Sequence, residues 1–427
     1  MGDWHNPSMK SFVPLIRNEW RLLLFGFLMT FGSSLGQTYF IGLFSGEIRA
    51  DLGLSHGDFG AVYSAATLGS AAILLWTGSL VDRMDLRYFA YLVTVGLAIG
   101  SLLIAGSQGV VTLFLSILIL RHLGQGLMSM AGATTMVRYL DRHKSKANAL
   151  SGIGYSVSEA ILPSLVIALL AVMSWRQSWV VWACVLLAFV PLLINRLLQG
   201  HSARHGAYLD SVNVDGGNEQ TIRRKQWTRS EVIADPLFYL FLPVLLAQPL
   251  LFTGFMFHQV HLVEVKGWSL PVWGSIYLLY AIVSTACKLW AGLLADRLGA
   301  IRLVPLMSLP FAAGLVLLAS SNGLWVAVAF MVLMAVTIGI YSTISSPFFS
   351  EMYGTLHLGA IKSVTTAAMV FASAIAPVVM GWLIDGGISM EAMAIASTAY
   401  IVIASALAGL AVAKQRARSA ASIPSVG

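Results

Sequence analysis

The sequence predicts an all-α membrane protein made of two pseudo-symmetric six-helix halves, and three observations carry that prediction. Of 427 residues, 57% are hydrophobic and only 11% charged, with a mean hydropathy of +0.79; soluble domains carry roughly 25% charged residues. The apolar residues come in blocks of about 20, the length that crosses roughly 30 Å of hydrocarbon as a helix. A short pattern also recurs half a chain apart: Gly78-Ser-Leu-Val-Asp82-Arg83 and Gly292-Leu-Leu-Ala-Asp296-Arg297. Lipid offers no partner to backbone N–H and C=O groups, and no segment alternates like a barrel strand, so each block is expected to be helical.

Taken in order, the blocks run over 21–44, 59–80, 88–106, 110–137, 147–173, 177–198, 237–263, 271–294, 303–320, 323–347, 361–384 and 390–413, giving twelve expected spans. Span 1 is too long for a signal-peptide core and no small-residue cleavage site follows it, so it is read as retained. Cys184 and Cys287 both fall inside spans, and no disulfide framework is implied. The one long polar stretch, within 200–236, ends in the basic run Arg223-Arg-Lys225. It reads as a cytoplasmic linker between a first half, 1–199, and a second half, 237–427.

Charge sets the orientation. With both termini in the cytoplasm, every Lys and Arg falls on the cytoplasmic side except Arg49, Arg176 and Lys266 in external loops and Arg121 and Lys288 within spans. That is the positive-inside pattern. It accounts for the formal net charge of +7 through anionic lipid, with no nucleic-acid partner required.

Twelve spans in two halves, a linker between the sixth and seventh, and Gly-xxx-Asp-Arg loops after spans 2 and 8 together resemble the major facilitator superfamily. Gly78, Leu80, Asp82, Arg83 and Arg87 stand at the family spacing, with Asp85 where a second glycine is usual. The second copy keeps Gly292, Asp296, Arg297 and Gly299 and places its last arginine, Arg302, one residue late. The resemblance implies a transporter of the multi-pass plasma-membrane type, here of a bacterial inner membrane, whose two gate loops break and re-form as the halves rock. Physically, a glycine lets two helices approach closely and an Asp with neighbouring Arg can clasp a helix end.

Charges inside a membrane are costly and point to function. Arg121 in span 4 and Glu159 in span 5 lie on a helical hairpin turning near residues 141–142, at depths that differ by roughly 5 Å at 1.5 Å per residue. They are expected to pair, either as a static stitch or as a proton-coupling carboxylate held and released by an arginine. Arg121-His-Leu-Gly124-Gln125-Gly126 also looks like the family's span-4 motif, with one residue too many between Arg and Gln-Gly. Lys288 in span 8 has no membrane-embedded acid in its own half, so a substrate anion or Glu159 is its natural partner, the alternative being a side chain that snorkels to the cytoplasmic surface. Lys288 four residues before Gly292 resembles the monocarboxylate-porter branch, related to oxalate–formate antiporters, where a basic residue there binds the substrate carboxylate. Ser284 stands where that branch has an acid.

Further candidates to line a substrate path are Gln37 and Tyr39 in span 1, His258 and Gln259 in span 7, Tyr280 in span 8 and Tyr341 in span 10. His258, His261 and Glu264 recur at helical spacing, which reads as a solvated face rather than a metal site. Pro163 and Pro377 occupy corresponding places in spans 5 and 11 and are expected to bend them. The chain holds no phosphate-binding loop, Cys cluster or His-Glu zinc motif, so no cofactor, ATP-driven pump or enzyme is expected. The expectation is a monomeric secondary transporter that moves a small organic anion, a monocarboxylate, in symport with protons. The alternatives are an anion exchanger or a proton-driven exporter of amphipathic drugs; a channel would need a continuous polar pore.

Overall fold

A computed structural model describes residues 12–140, 144–200, 226–354 and 357–421, and in these every regular element is helical. Eleven helices among the described residues are long and apolar enough to cross a membrane, and they correspond to spans 2–12. Between 22% and 61% of each apolar window is buried within the protein. The remainder is an outward apolar surface that includes Leu75, Trp76, Val111 and Leu289, which suits lipid and not water.

Local chemistry sets several helix starts. Ser174 and Gln177 form a capping box at the head of Trp175–Leu197, and Thr228 with Glu231 does the same for Arg229–Ala234. Asp235 accepts from Leu237 N at the head of Pro236–Ala247, where Pro236 occupies the first turn. The same Asp235 pairs with Arg418 at 3.1 Å, fastening the last helix to the start of span 7.

Span 1 departs from a single crossing helix. The α-helix Phe12–Gly32 gives way to a 3₁₀ turn, Ser33–Gly36, then an extended Gln37 (φ −82°, ψ 152°) and two short helices, Thr38–Gly42 and Ser45–Leu52. Arg17, Glu19 and Arg21 load the first half of the α-helix with charge, and Gly32-Ser-Ser-Leu-Gly36 interrupts the apolar run. Hydroxyl side chains that bond nearby backbone compete with a helix at such a point; Ser33 Oγ donates to Thr30 O at 2.7 Å.

The break meets span 4 where span 4 also leaves α geometry. Residues Arg121–Met128 form a π-helix between Val110–Leu120 and Ser129–Tyr139. A Cβ on Gly36 would collide with Leu120 O and Gln125 N, and one on Gly124 with the Gly36 backbone. Only glycine at both positions permits this approach. The additional residue in the Arg121…Gln125-Gly126 motif is thus absorbed by the π turn, which accommodates one extra residue in a helix. A second π turn, Gln248–Phe252, interrupts span 7.

Two compact units emerge: the first comprises 1–41, 69–162 and 169–219, the second 42–68, 163–168 and 220–427. The Arg223-Arg-Lys225 run lies outside the described residues.

Candidate functional site

In the first unit, Arg121 is only 3% exposed, and its Nη1 donates to Gly36 O at 3.0 Å. The broken end of span 1 therefore supplies the carbonyl that receives a membrane-embedded guanidinium. Tyr39 is buried, and its hydroxyl donates to Ser158 Oγ at 3.5 Å. Ser158 in turn is 2.5 Å from Ser34 Oγ, and Tyr155 shares a short hydrogen bond with Ser129 Oγ on span 4. Glu159 is half-buried, one helical turn after Tyr155 on the helix Lys144–Leu170. Gln37 is half-buried at the end of the 3₁₀ turn.

The second unit places Lys288 about two-thirds of the way along the helix Leu270–Leu298, half-exposed, and among the described residues its ammonium has no hydrogen-bond or ionic partner. Its backbone is tightly packed: Thr343 Oγ1 donates to Lys288 O at 3.2 Å, and a Cβ on Gly339 would lie 2.5 Å from Cys287 Cβ and 3.0 Å from Lys288 N. The close helix approach expected at Gly292 occurs at Gly339 instead, because Gly292 faces only Thr343 Cγ2 at an ordinary 3.7 Å.

Several residues expected to face a substrate are engaged in packing. Tyr341 is buried, and its hydroxyl donates to Leu245 O at 3.1 Å, a carbonyl to which Pro249, four residues on, can offer no N–H. Gln259 is fully buried and accepts from Trp273 Nε1 at 3.0 Å and Tyr277 OH at 2.7 Å. Tyr280 is buried with its ring 6.0 Å from that of Tyr277. His258 is buried with Nε2 2.9 Å from Pro377 O, so the expected solvated face holds only for His261 and Glu264.

His56, which the sequence reading passed over, gathers these histidines. Its ring lies 4.4 Å from that of His261 and 5.8 Å from that of His258. Its N–H and that of Gly57 donate to Asp385 at 3.0 and 2.7 Å, so a carboxylate from the end of span 11 caps the helix His56–Thr77. Arg49 stands by the cluster; burial pulls its guanidinium down from the usual value while Glu264 and Asp385 oppose that shift. No group of three or more side chains among the described residues is arranged to hold a metal.

At the repeated loops, Asp85, in place of a glycine, caps the helix Leu86–Ala105 by accepting from Arg87 N at 2.8 Å. Arg87 bonds the Asn195 side chain, and Arg138 Nη1 donates to Val81 O at 3.0 Å. Gly78 ends the helix His56–Thr77, while the side chains of Asp82 and Arg83 lie outside the described residues. In the second copy Asp296 and Arg297 are exposed, and among the described residues neither makes an ion pair. Glu351 organises that loop, accepting from Ala300 N at 3.0 Å and Ile301 N at 3.2 Å. It escaped the sequence reading because it lies beyond the expected end of span 10.

Apolar helices that cross a membrane, a buried arginine at a broken helix and paired loops after spans 2 and 8 define a polytopic transporter. The chain belongs to the Major Facilitator Superfamily, whose family model matches residues 26–286 and 251–426. Two solved structures share the fold. A bacterial homologue of the human lysosomal transporter Spinster, in an inward-facing and unoccupied conformation, superposes with a TM-score of 0.65 at 14% identity, covering 93% of this chain and 97% of that one. The nucleoside transporter NupG gives 0.63 at 14% identity, covering 93% and 98%. In sequence, the 4-hydroxybenzoate transporter PcaK of Pseudomonas putida is 30% identical over 139 residues, a match spanning 30% of this chain and 29% of that protein.

Proposed function

We propose that the protein carries a small organic monocarboxylate together with a proton by alternating access, as a monomer of twelve spans with both termini in the cytoplasm of a bacterial inner membrane. The observation that carries this reading is Lys288, an ammonium on a membrane-spanning helix with no counter-charge among the described residues. A charge so placed calls for an anion, and a carboxylate of the substrate supplies one. The partial match to a protein named for transport of 4-hydroxybenzoate, itself a monocarboxylate, supports the same class. Glu159 is the coupling carboxylate in this reading. Anion and proton cross as a neutral pair, which avoids electrical work of about 2.3 kcal/mol per charge per 100 mV.

The test is uptake of labelled 4-hydroxybenzoate and aliphatic monocarboxylates into proteoliposomes, with and without an imposed pH gradient. Accumulation of a carboxylate driven by the gradient is expected. Counter-anion exchange indifferent to pH would replace the symporter with an exchanger, and no carboxylate flux would remove the substrate class.

A further inference from the structure

Two carboxylates serve the head of the helix His56–Thr77, and both lie with it in the second unit. The nearer is local. Ser55 Oγ accepts from Asp58 N at 3.0 Å and Asp58 Oδ2 accepts from Ser55 N at 3.2 Å, which closes a capping box within the chain's own turn. A capping box leaves the N–H groups of the first two helical residues without a partner. Those two, on His56 and Gly57, are the ones that Asp385 takes at 3.0 and 2.7 Å from the far end of span 11. The helix start is therefore well formed without Asp385, and what the remote carboxylate holds is one helix against another.

The contact it holds can part at small cost to either helix. A Cβ on Gly60 would collide with Pro377 O, and one on Gly381 with His56 O, so the two helices touch there through backbone and not through interlocked side chains. Asp385 is exposed, and its bond to His56 is open to solvent, so water can take over the N–H groups as the carboxylate leaves. The ring of His56, edge to face with that of His261 at 4.4 Å, ties the same segment to the end of span 7. Charge-assisted bonds at a helix N-terminus are strong enough to set a population, and at an exposed helix end they are free to break.

We infer that Asp385 is a latch: its carboxylate closes the head of span 2 onto the end of span 11, and its release lets residues 42–68 part from spans 7 and 11 with the helix His56–Thr77 intact. The topology proposed above puts this latch at the outer face. The inference rests on the alternating-access reading for its use, as one of the closures such a cycle needs, while the latch itself follows from the local geometry.

The experiment measures the distance between spin labels on Ala50→Cys and Ile388→Cys, both exposed positions, in purified protein that carries Cys184→Ser and Cys287→Ser. A short distance with a minor longer one is expected in this background. Asp385→Asn, the same shape without the charge, should raise the ratio of long to short about tenfold, the scale of a lost bond to a charged group. Asp385→Glu keeps the charge and should raise it less. Asp58→Asn removes a charge from the same helix head without touching the two latched N–H groups, and should leave the ratio unchanged. Thermal unfolding of Asp385→Asn should stay close to that of the background, because the local box remains. A distance that Asp385→Asn does not alter, or an equal shift from Asp58→Asn, overturns the inference. Should Asp385→Asn not fold, amide exchange in the unaltered protein decides: His56 and Gly57 exchanging ahead of the amides from residue 60 onward supports a latch that opens by itself, and exchange in step with them overturns it. A latch that opens as described while proteoliposomes carry no carboxylate leaves this inference standing and removes the proposed function.

Discussion

Lys266 and Lys288 carry the same ammonium in the same unit and live in opposite surroundings. Lys266 is buried, with its Nζ 2.6 Å from Glu391 Oε1, 2.6 Å from Leu318 O, 2.9 Å from Asn322 Oδ1 and 3.4 Å from Ser321 O. Leu318 is in the last turn of the helix Leu309–Ser320 and Ser321 follows its end, so the ammonium sits at the negative end of a helix dipole as well. Lys288 is half-exposed and has none of this. The contrast teaches that a lysine's depth in a membrane protein says little about its role. A fully satisfied ammonium is a fastener, and an unsatisfied one on a spanning helix is available to a ligand.

The largest effect expected is on the fastener. Lys266→Met should lower stability by about 3–5 kcal/mol, because Glu391 and the helix-end carbonyls lose a buried partner; thermal unfolding in detergent measures it. If the unfolding temperature hardly moves, the cage is incidental and the contrast collapses. The next effect belongs to Lys288→Ala. It should change the stability of the unliganded protein by no more than a surface substitution does, about 0.5 kcal/mol. What it should abolish is the stabilisation by a transported carboxylate, about 2.7 kcal/mol at a hundred times Kd in wild type. Undiminished ligand stabilisation would assign Lys288 to the lipid surface and make Arg121 the next anion-binding candidate.

A smaller loss is expected for Glu391→Gln, about 1 kcal/mol, because that carboxylate is partly exposed at 35% and Lys266 keeps its carbonyl partners. A loss as large as that of Lys266→Met would show that the ion pair, and not the helix-end carbonyls, makes the cage. The smallest effect should be that of Lys288→Arg, which keeps the charge and alters only preference among carboxylates, since a planar fork replaces a compact ammonium. Competition between aliphatic and aromatic carboxylates would read it, and a complete loss of binding would show that the site demands more than a positive charge.

Spans 2–12 were legible because lipid imposes long apolar runs whatever their neighbours do. Span 1 was legible as apolar but not as broken, since the break depends on Gly36 meeting Gly124 and on Arg121 taking a carbonyl, contacts more than eighty residues apart. Lys266 reads in sequence as an external loop cation because its partners come from 318–322 and from Glu391. Hydropathy singles out Arg121, Glu159 and Lys288 as charges within apolar runs, yet their partners are properties of packing. His258, Gln259 and Tyr341 look like path-lining groups by type and prove to be bonded within the helix packing, and a periodicity argument has no means of distinguishing the two. Asp385 and Glu351 cap helices that begin far away in the chain, so no local pattern announces them.

The π turn of span 4 sets an angular phase. An α-helix advances about 100° per residue, so one residue absorbed at Arg121–Met128 offsets everything after it by that angle. The early part of the span is keyed to span 1 through Arg121 and Gly36, and the later part to its neighbours through Ser129 with Tyr155 and Arg138 with Val81. A straight α-helix would satisfy one set and turn the other away. Deleting a single residue within 122–128 should therefore act less as a shortening by about 1.5 Å than as a rotation of one end of a shaft against the other, with both ends still helical and their partners no longer in line.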